Sequence, residues 1–183
     1  MIITSRLILI AATIELLKAE LNSVNEFAGR LQCAIPESWP PELLTKAVLN
    51  FALRQLERNP KEFDWWFYYF VLNKKPSQSN LLIGGGGYKG RPIDGVAEIG
   101  YSILPEFRRK GYASEATMGL IKNAFSKRGV TRIVAETLPD LIPSIGVLEK
   151  CGFRFVGNGS EKNVIRYEVT KKDYLKGMRE RDD

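Results

Sequence analysis

Residues 105–114 read Pro-Glu-Phe-Arg-Arg-Lys-Gly-Tyr-Ala-Ser, with three consecutive cations, Arg108, Arg109 and Lys110, placed directly before Gly111. An amphipathic pattern starts at Tyr112 and Ala113. A turn that opens a helix aims several main-chain N–H groups at one point and adds the positive end of the helix dipole. Gly111 permits a tight path there, and the small Ala113 lets a ligand lie against the main chain. Cations at a helix N-terminus are disfavoured by about 0.3–1 kcal/mol each when exposed. Three in a row therefore suit an anion, and a phosphate or pyrophosphate is its natural form. The alternative is an ordinary basic strand-to-helix turn.

The rest of the chain narrows the chemistry. It contains no histidine, so Ser-His and Cys-His nucleophilic pairs are excluded and the commonest transition-metal ligand is missing. No metal is expected. Proton transfer is left to carboxylate, Tyr, Lys, Ser, Cys or water. Cys33 and Cys151 lack CxxC spacing and read as free thiols, Cys151 as packing at a helix end. Gly85, Gly87 and Gly90 match G-x-G-x-x-G literally, but Arg91-Pro92-Ile93-Asp94-Gly95 follows where that motif needs a helix. A strand bend or a close main-chain approach explains these glycines better. The run Trp65–Leu72 is apolar on both faces and lacks the interleaved cations of a base-stacking platform, so it reads as a buried central strand. The net charge of +6 fits either a solvated basic surface or attraction to a polyanion.

These residues need elements to position them. The 183 residues, 44% hydrophobic and 26% charged, suit one domain with its own core, residues 1–183. Residues 6–10 predict a strand, and Thr13 caps a helix carrying Ile14, Leu16, Leu17 and Leu21. Residues 33–41 hold three prolines and predict a loop. A second helix is expected over 41–58, with Leu44, Val48, Phe51, Ala52 and Leu56 on its apolar stripe. Lys74–Asn80 predicts a turn, and Leu81–Ile83 begins a strand. Ala97–Leu104 is a strand ending at Pro105, Ala113–Arg128 the clearest helix, and Val130–Leu138 a strand. A short helix over Ser144–Cys151 ends at Gly152, with Phe153 closing a Schellman cap onto Leu148. Strands at 153–156 and 164–169 follow, and Thr170 with Asp173 forms a capping box. No apolar run approaches the roughly 20 residues of a membrane-spanning helix, and the N-terminus lacks a secretory layout. A cytoplasmic protein is the expectation.

Arg108-Arg109-Lys110-Gly111-Tyr112-Ala113 matches the [QR]-x-x-G-x-[GA] signature and resembles the pyrophosphate loop of the GNAT acetyltransferase superfamily. The strand Glu98–Pro105 and the segment Ser144–Phe153, ending Leu-Glu-Lys-Cys-Gly-Phe, resemble the branch that acetylates ribosomal-protein N-terminal alanines. The resemblance is strongest from about residue 96 to 157. It implies a single-domain α/β fold with a mixed, mostly antiparallel sheet, flanked by helices and opened by a V-shaped split. It implies acetyl-CoA as co-substrate, its pantetheine arm between the strands at 97–104 and 131–138 and pairing near Ile103 and Leu104. The pyrophosphate would lie on the amides of Arg109–Ala113, with Ser114 adding a hydroxyl. One departure stands out: the family commonly has Asn three residues before the serine, and Leu141 occupies that position.

Direct transfer of acetyl to an amine requires a proton to leave the amine and the CoA thiolate to be stabilised. Glu98 is the first candidate base, acting through water; its alternative is an exposed strand-end carboxylate or an ion-pair partner. Glu136 on the facing strand is the reserve. The resemblance puts Ser144 at the CoA sulfur, with helix capping as its alternative, and Tyr101 and Tyr112 are further candidate acids. An N-acetyltransferase acting on a small-molecule amine or a protein N-terminus is the leading reading. A non-catalytic CoA-binding module is the alternative, motivated by Leu141. A nucleic-acid partner is disfavoured because the cations are scattered apart from 108–110. No membrane partner is expected, and monomer and homodimer both remain open. The acceptor would be selected by the first two helices and the loops at 33–41 and 84–95.

Overall fold

A computed structural model describes residues 1–74 and 79–182, with side chains through Arg179. Eight strands form one sheet in the order β1-β2-β3-β4-β5-β6-β8-β7. They are β1 (Ile2–Ile3), β2 (Leu7–Ala11), β3 (Phe67–Leu72), β4 (Leu81–Tyr88), β5 (Val96–Ile103), β6 (Arg132–Thr137), β7 (Arg154–Asn158) and β8 (Ile165–Thr170). Every neighbouring pair is antiparallel except β5 with β6. The helices are α1 (Ile14–Asn22), α2 (Val24–Leu31), α3 (Lys46–Arg58), α4 (Tyr112–Ser126), α5 (Ile142–Lys150) and α6 (Lys171–Asp182). No helix among the described residues is long and apolar enough to cross a membrane.

The sheet separates two cores. On one face Leu7, Leu9, Phe70, Ile99, Leu120 and Ile133 pack beneath α4. On the other, Leu17, Phe27, Leu49, Leu56, Tyr69 and Leu82 hold α1, α2 and α3. β3 is buried through Val71, as an unbroken apolar run requires of a strand covered on both faces. Local chemistry sets the helix ends. The Thr13 side chain accepts from Leu16 N–H at 3.3 Å. Gly152 is left-handed at φ 85°, and Phe153 N–H returns to Leu148 O at 3.0 Å, the long bond of the Schellman motif. Thr170 and Asp173 exchange bonds at 2.8 and 3.1 Å.

Three expectations change. The helix expected from residue 41 starts at Lys46, because Thr45 takes the cap position and accepts from Val48 N–H at 3.4 Å. Its buried stripe is Leu49, Ala52 and Leu56, whereas Val48 and Phe51 stay 43% and 48% exposed. Between the two expected helices lies α2, capped by Ser23, which accepts from Glu26 N–H at 3.4 Å; Ser23 and Glu26 have capping-box spacing. Of the turn expected at Lys74–Asn80, residues 75–78 lie outside the described part.

The glycine run is not a loop: β4 continues through Gly84–Gly87 to Tyr88, and no helix follows it. A Cβ at Gly84 or Gly86 would overlap carbonyl oxygens of β5, and one at Gly85 would overlap the Phe67 ring. These glycines let β3, β4 and β5 approach closely. Registers align Tyr69, Gly85 and Ser102 across three strands, and likewise Phe67, Gly87 and Gly100. On the α1–α3 face Gly85, Gly87 and Gly100 therefore carry no side chain, and the Phe67 ring covers Gly85.

Candidate active site

β5 and β6 pair in parallel only from Val96↔Arg132 to Ile99↔Ala135. Beyond that point β5 stays with β4 to Ile103 and β6 stays with β8 to Thr137, so the sheet opens into a V. Leu104 N–H donates to Ile83 O at 2.9 Å, and Glu98 O accepts from Lys89 N–H at 2.9 Å, both toward the β4 side. By strand alternation, the N–H and C=O groups of Tyr101 and Ile103 face the gap. This corrects one expectation: Leu104 has its N–H on Ile83 and its carbonyl on Phe107 N–H, so Tyr101 replaces it beside Ile103 on the open edge.

At the mouth of the V, Pro105–Phe107 form a single 3-10 turn. Arg109 and Gly111 are both left-handed, at φ 59° and 81°. Gly111 is the α4 N-cap and no side chain caps that end. The first helical bond runs from Glu115 N–H to Gly111 O at 3.0 Å, so the N–H groups of Tyr112, Ala113 and Ser114 have no intrahelical acceptor. The three cations divide their work. Arg108 donates through Nε to Ile103 O at 3.0 Å and reaches Glu42 at 3.2 Å. Lys110 donates to Glu106 O at 2.9 Å and lies 5.5 Å from the Phe107 ring centroid. Arg109 makes no side-chain hydrogen bond or ion pair among the described residues. Ser114 is 8% exposed.

The turn is braced by residues that local sequence reading does not find. Arg6 donates through Nη1 to Lys110 O at 3.0 Å and through Nε to Glu115 at 2.6 Å, and its guanidinium sits 4.5 Å from the Tyr112 ring centroid. Glu115 also accepts from Arg6 N–H at 2.6 Å and from the Thr4 hydroxyl at 2.7 Å. Burial raises the Glu115 carboxyl pKa, but these donors outweigh it and hold the group below the usual carboxylate value. Only a first-turn Glu in α4 and an Arg opening the first long strand hinted at the pairing.

The proton-handling candidates divide between the faces of β5. Tyr101 points to the α4 face, where its hydroxyl donates to Ser144 O at 3.2 Å and lies 3.4 Å from Ser144 Oγ; burial pushes its pKa up to about 12. Ser144 does not cap α5, since Leu141 holds the N-cap position and makes no side-chain cap bond. Glu98, at the closed end of the V, faces the α1–α3 side with Gly100 and Ser102 and is paired with Lys89. Glu136 is spent on structure. It accepts from Ser160 N–H at 2.8 Å, Ser160 Oγ at 2.6 Å and Arg166 at 2.7 Å. Burial opposes its ionisation, but those bonds hold its pKa below the usual value, the reverse of what a general base needs.

Leu141 remains 41% exposed, but the first turn of α5 leaves an Asn nothing to cap: Ile142 N–H donates to Asp140 O at 2.9 Å, Pro143 has no N–H, and Ser144 N–H donates to Leu141 O at 2.9 Å. Leu141→Asn is therefore expected to change stability by no more than about 0.5 kcal/mol. Thermal unfolding checks this; a clearly higher Tm would show that an N-cap bond forms there after all.

An acetyltransferase (GNAT) domain model matches residues 6–154. The chain belongs to the GNAT acetyltransferase family. The N-acetyltransferase YnaD of Bacillus subtilis is 40% identical over 60 residues, covering 33% of this chain and 35% of that protein. The FsC-acetyl coenzyme A-N(2)-transacetylase of Aspergillus fumigatus is 27% identical over 89 residues, 43% of this chain and 38% of that protein. The matched stretches thus span less than half of either curated relative. A GNAT acetyltransferase structure from Bacillus anthracis superposes with a TM-score of 0.62 at 22% identity, covering 93% of this chain and 98% of its own. That likeness concerns the fold, a mixed, mostly antiparallel sheet flanked by helices.

Proposed function

We propose that this GNAT domain transfers the acetyl group of acetyl-CoA to a primary amine by direct attack in a ternary complex. The observation that carries the reading is the uncapped, left-handed turn at α4, set beside the open edge of β5. The main-chain N–H groups of residues 109–113 and the unpaired Arg109 suit a pyrophosphate. The N–H and C=O groups of Tyr101 and Ile103 suit the amides of a pantetheine arm. The fit requires Arg108 to share or release Ile103 O. Acetyl-CoA supplies an activated thioester, and the domain's residues position the reactants and move protons.

On this reading Glu98 takes the proton of the incoming amine, through water, on the α1–α3 face. Ser144 stabilises the departing thiolate from the α4 face with its hydroxyl, and Tyr101 holds Ser144 in place. Proton removal and thiolate stabilisation then come from opposite sides of one strand, the released thiolate taking its proton from solvent, so the acceptor and the leaving group do not compete for the same space. Joint binding itself supplies much of the rate.

The test is acetyl-CoA-dependent thiol release with an amine present. Glu98→Gln is expected to lower kcat by about 10²-fold, the lower end for a lost general base, while acetyl-CoA affinity holds. Ser144→Ala is expected to lower kcat by roughly tenfold. Full activity in Glu98→Gln would remove it as the base. Saturable acetyl-CoA binding without amine-dependent thiol release would favour the CoA-binding module that the apolar Leu141 suggests.

A further inference from the structure

Building on the transferase reading, we infer that the acceptor is a small amine carried on a flat, apolar body, and that the exposed Phe51, backed by the buried Trp66 and Phe67, selects it. The α1–α3 face of β5 presents Glu98, Gly100 and Ser102 in a row, about 13 Å long at a strand rise of roughly 3.3 Å per residue. A Cβ at Gly100 would meet no atom within 4 Å, so the middle of this row is open. Its β3 side is aromatic. Phe67 lies over Gly85, whose register partner is Ser102. The Trp66 ring lies against Gly90, where a Cβ would come within 3.1 Å of it, and the neighbouring Lys89 N–H donates to Glu98 O. Phe51 extends the wall, edge-on to Trp66 at 5.8 Å and 75°. It is 48% exposed, although the α3 periodicity would bury it in an ordinary core.

The charges argue against the obvious competitor, a linear polyamine. Such a ligand needs carboxylates free to receive several ammonium groups, and the bordering ones are engaged. Glu98 holds Lys89, Glu62 holds Arg91 at 3.8 Å, and Glu42 holds Arg108. Glu20 has one oxygen on Trp39 Nε1 at 2.8 Å and the other on Tyr69 OH at 2.7 Å. At Glu98, Glu62 and Glu42 a polycation would exchange one cation for another, with little gain from exposed pairs, and only Glu20, held by neutral donors, would gain a cation it lacks; the polycation would also approach a chain of net charge +6. An aromatic amine brings one ammonium to Glu98 and buries its ring against the wall, a gain that requires no new carboxylate.

The experiment is steady-state kinetics of the full chain with 2-phenylethylamine and spermidine, alongside calorimetric titration with acetyl-CoA. 2-Phenylethylamine is expected to exceed spermidine in kcat/KM by about tenfold or more. Phe51→Ser is expected to cut kcat/KM for 2-phenylethylamine roughly fivefold to tenfold, as loss of one ring contact allows, without changing that for spermidine. Phe51 is half-exposed and edge-on to Trp66, so this variant is expected to stay folded with a Tm a few degrees lower, which is checked in parallel. Acetyl-CoA binding with spermidine preferred, with neither amine acetylated, or with Phe51→Ser equally slow on both would overturn the acceptor class and leave the cofactor reading standing. Absence of acetyl-CoA binding would overturn both.

Discussion

Gly111→Glu is expected to weaken acetyl-CoA binding by roughly thirtyfold while the chain remains folded. Gly111 sits at φ 81°, so any side chain there costs about 1–2 kcal/mol in the left-handed region. Its Cβ would point at Arg6 Nη2, 3.4 Å away, an ordinary contact that leaves room for the substitution. The introduced carboxylate would draw Arg6 from Glu115 and place negative charge where a pyrophosphate must sit. Two unit charges 4 Å apart repel by about 4 kcal/mol at an effective dielectric of 20, and solvent screening at the rim reduces this to roughly half. Gly111→Ala carries the backbone strain without the charge and is expected to bind within several-fold of wild type. Calorimetric titration of both variants decides the matter. Equal losses would assign the effect to backbone distortion, and unchanged affinity in a folded Gly111→Glu would remove the phosphate from this turn.

Arg6→Gln is the second large effect, because it removes the brace from behind the same turn. The Nε bond to Glu115, the Nη1 bond to Lys110 O and the stacking on Tyr112 are lost together. Glu115 keeps the Thr4 hydroxyl and the Arg6 main-chain N–H, so its carboxylate is not stranded. With the Arg6 side chain 45% exposed, the stability cost is expected near 1–2 kcal/mol, below the ceiling for hydrogen bonds to charged groups. The informative readout is kinetic. KM for acetyl-CoA is expected to rise about tenfold, whereas KM for the amine and kcat at saturating acetyl-CoA hold steady. Arg6→Lys can keep the Glu115 pair but not the fork that also reaches Lys110 O, so partial recovery is expected. A loss of stability with unchanged KM for acetyl-CoA would reduce Arg6 to a structural tie.

What was legible beforehand follows from how far each feature reaches along the chain. The cations, the glycine and the helix behind them lie within residues 108–126, and their meaning is local electrostatics. The same holds for the Gly152 end of α5 and the Thr13 and Thr170 caps. The brace joins Arg6 to Glu115, 109 positions apart, and no periodicity reports such a pair. Alternation placed Glu98, Gly100 and Ser102 on one face of β5, but which face met α1–α3 depended on packing. The edge that faces the split depended on which neighbour took the Leu104 N–H. At Val48 and Phe51, helical spacing alone could not separate a core stripe from an open wall. α2 was missed for another reason: its Ser23–Glu26 box and the helical spacing of Val24, Phe27, Ala28 and Leu31 were both present, but the helix is only eight residues long, shorter than the stretch over which periodicity is read.

Amide hydrogen exchange with and without acetyl-CoA tests the central claim most directly. Bound acetyl-CoA is expected to slow exchange at the amides of residues 109–114 and at Ile103, whose N–H faces the split, and to leave Leu104, already bonded to Ile83, unchanged. Protection confined to other segments, in a chain that binds acetyl-CoA saturably, would contradict the placement of the cofactor and the transfer mechanism built on it.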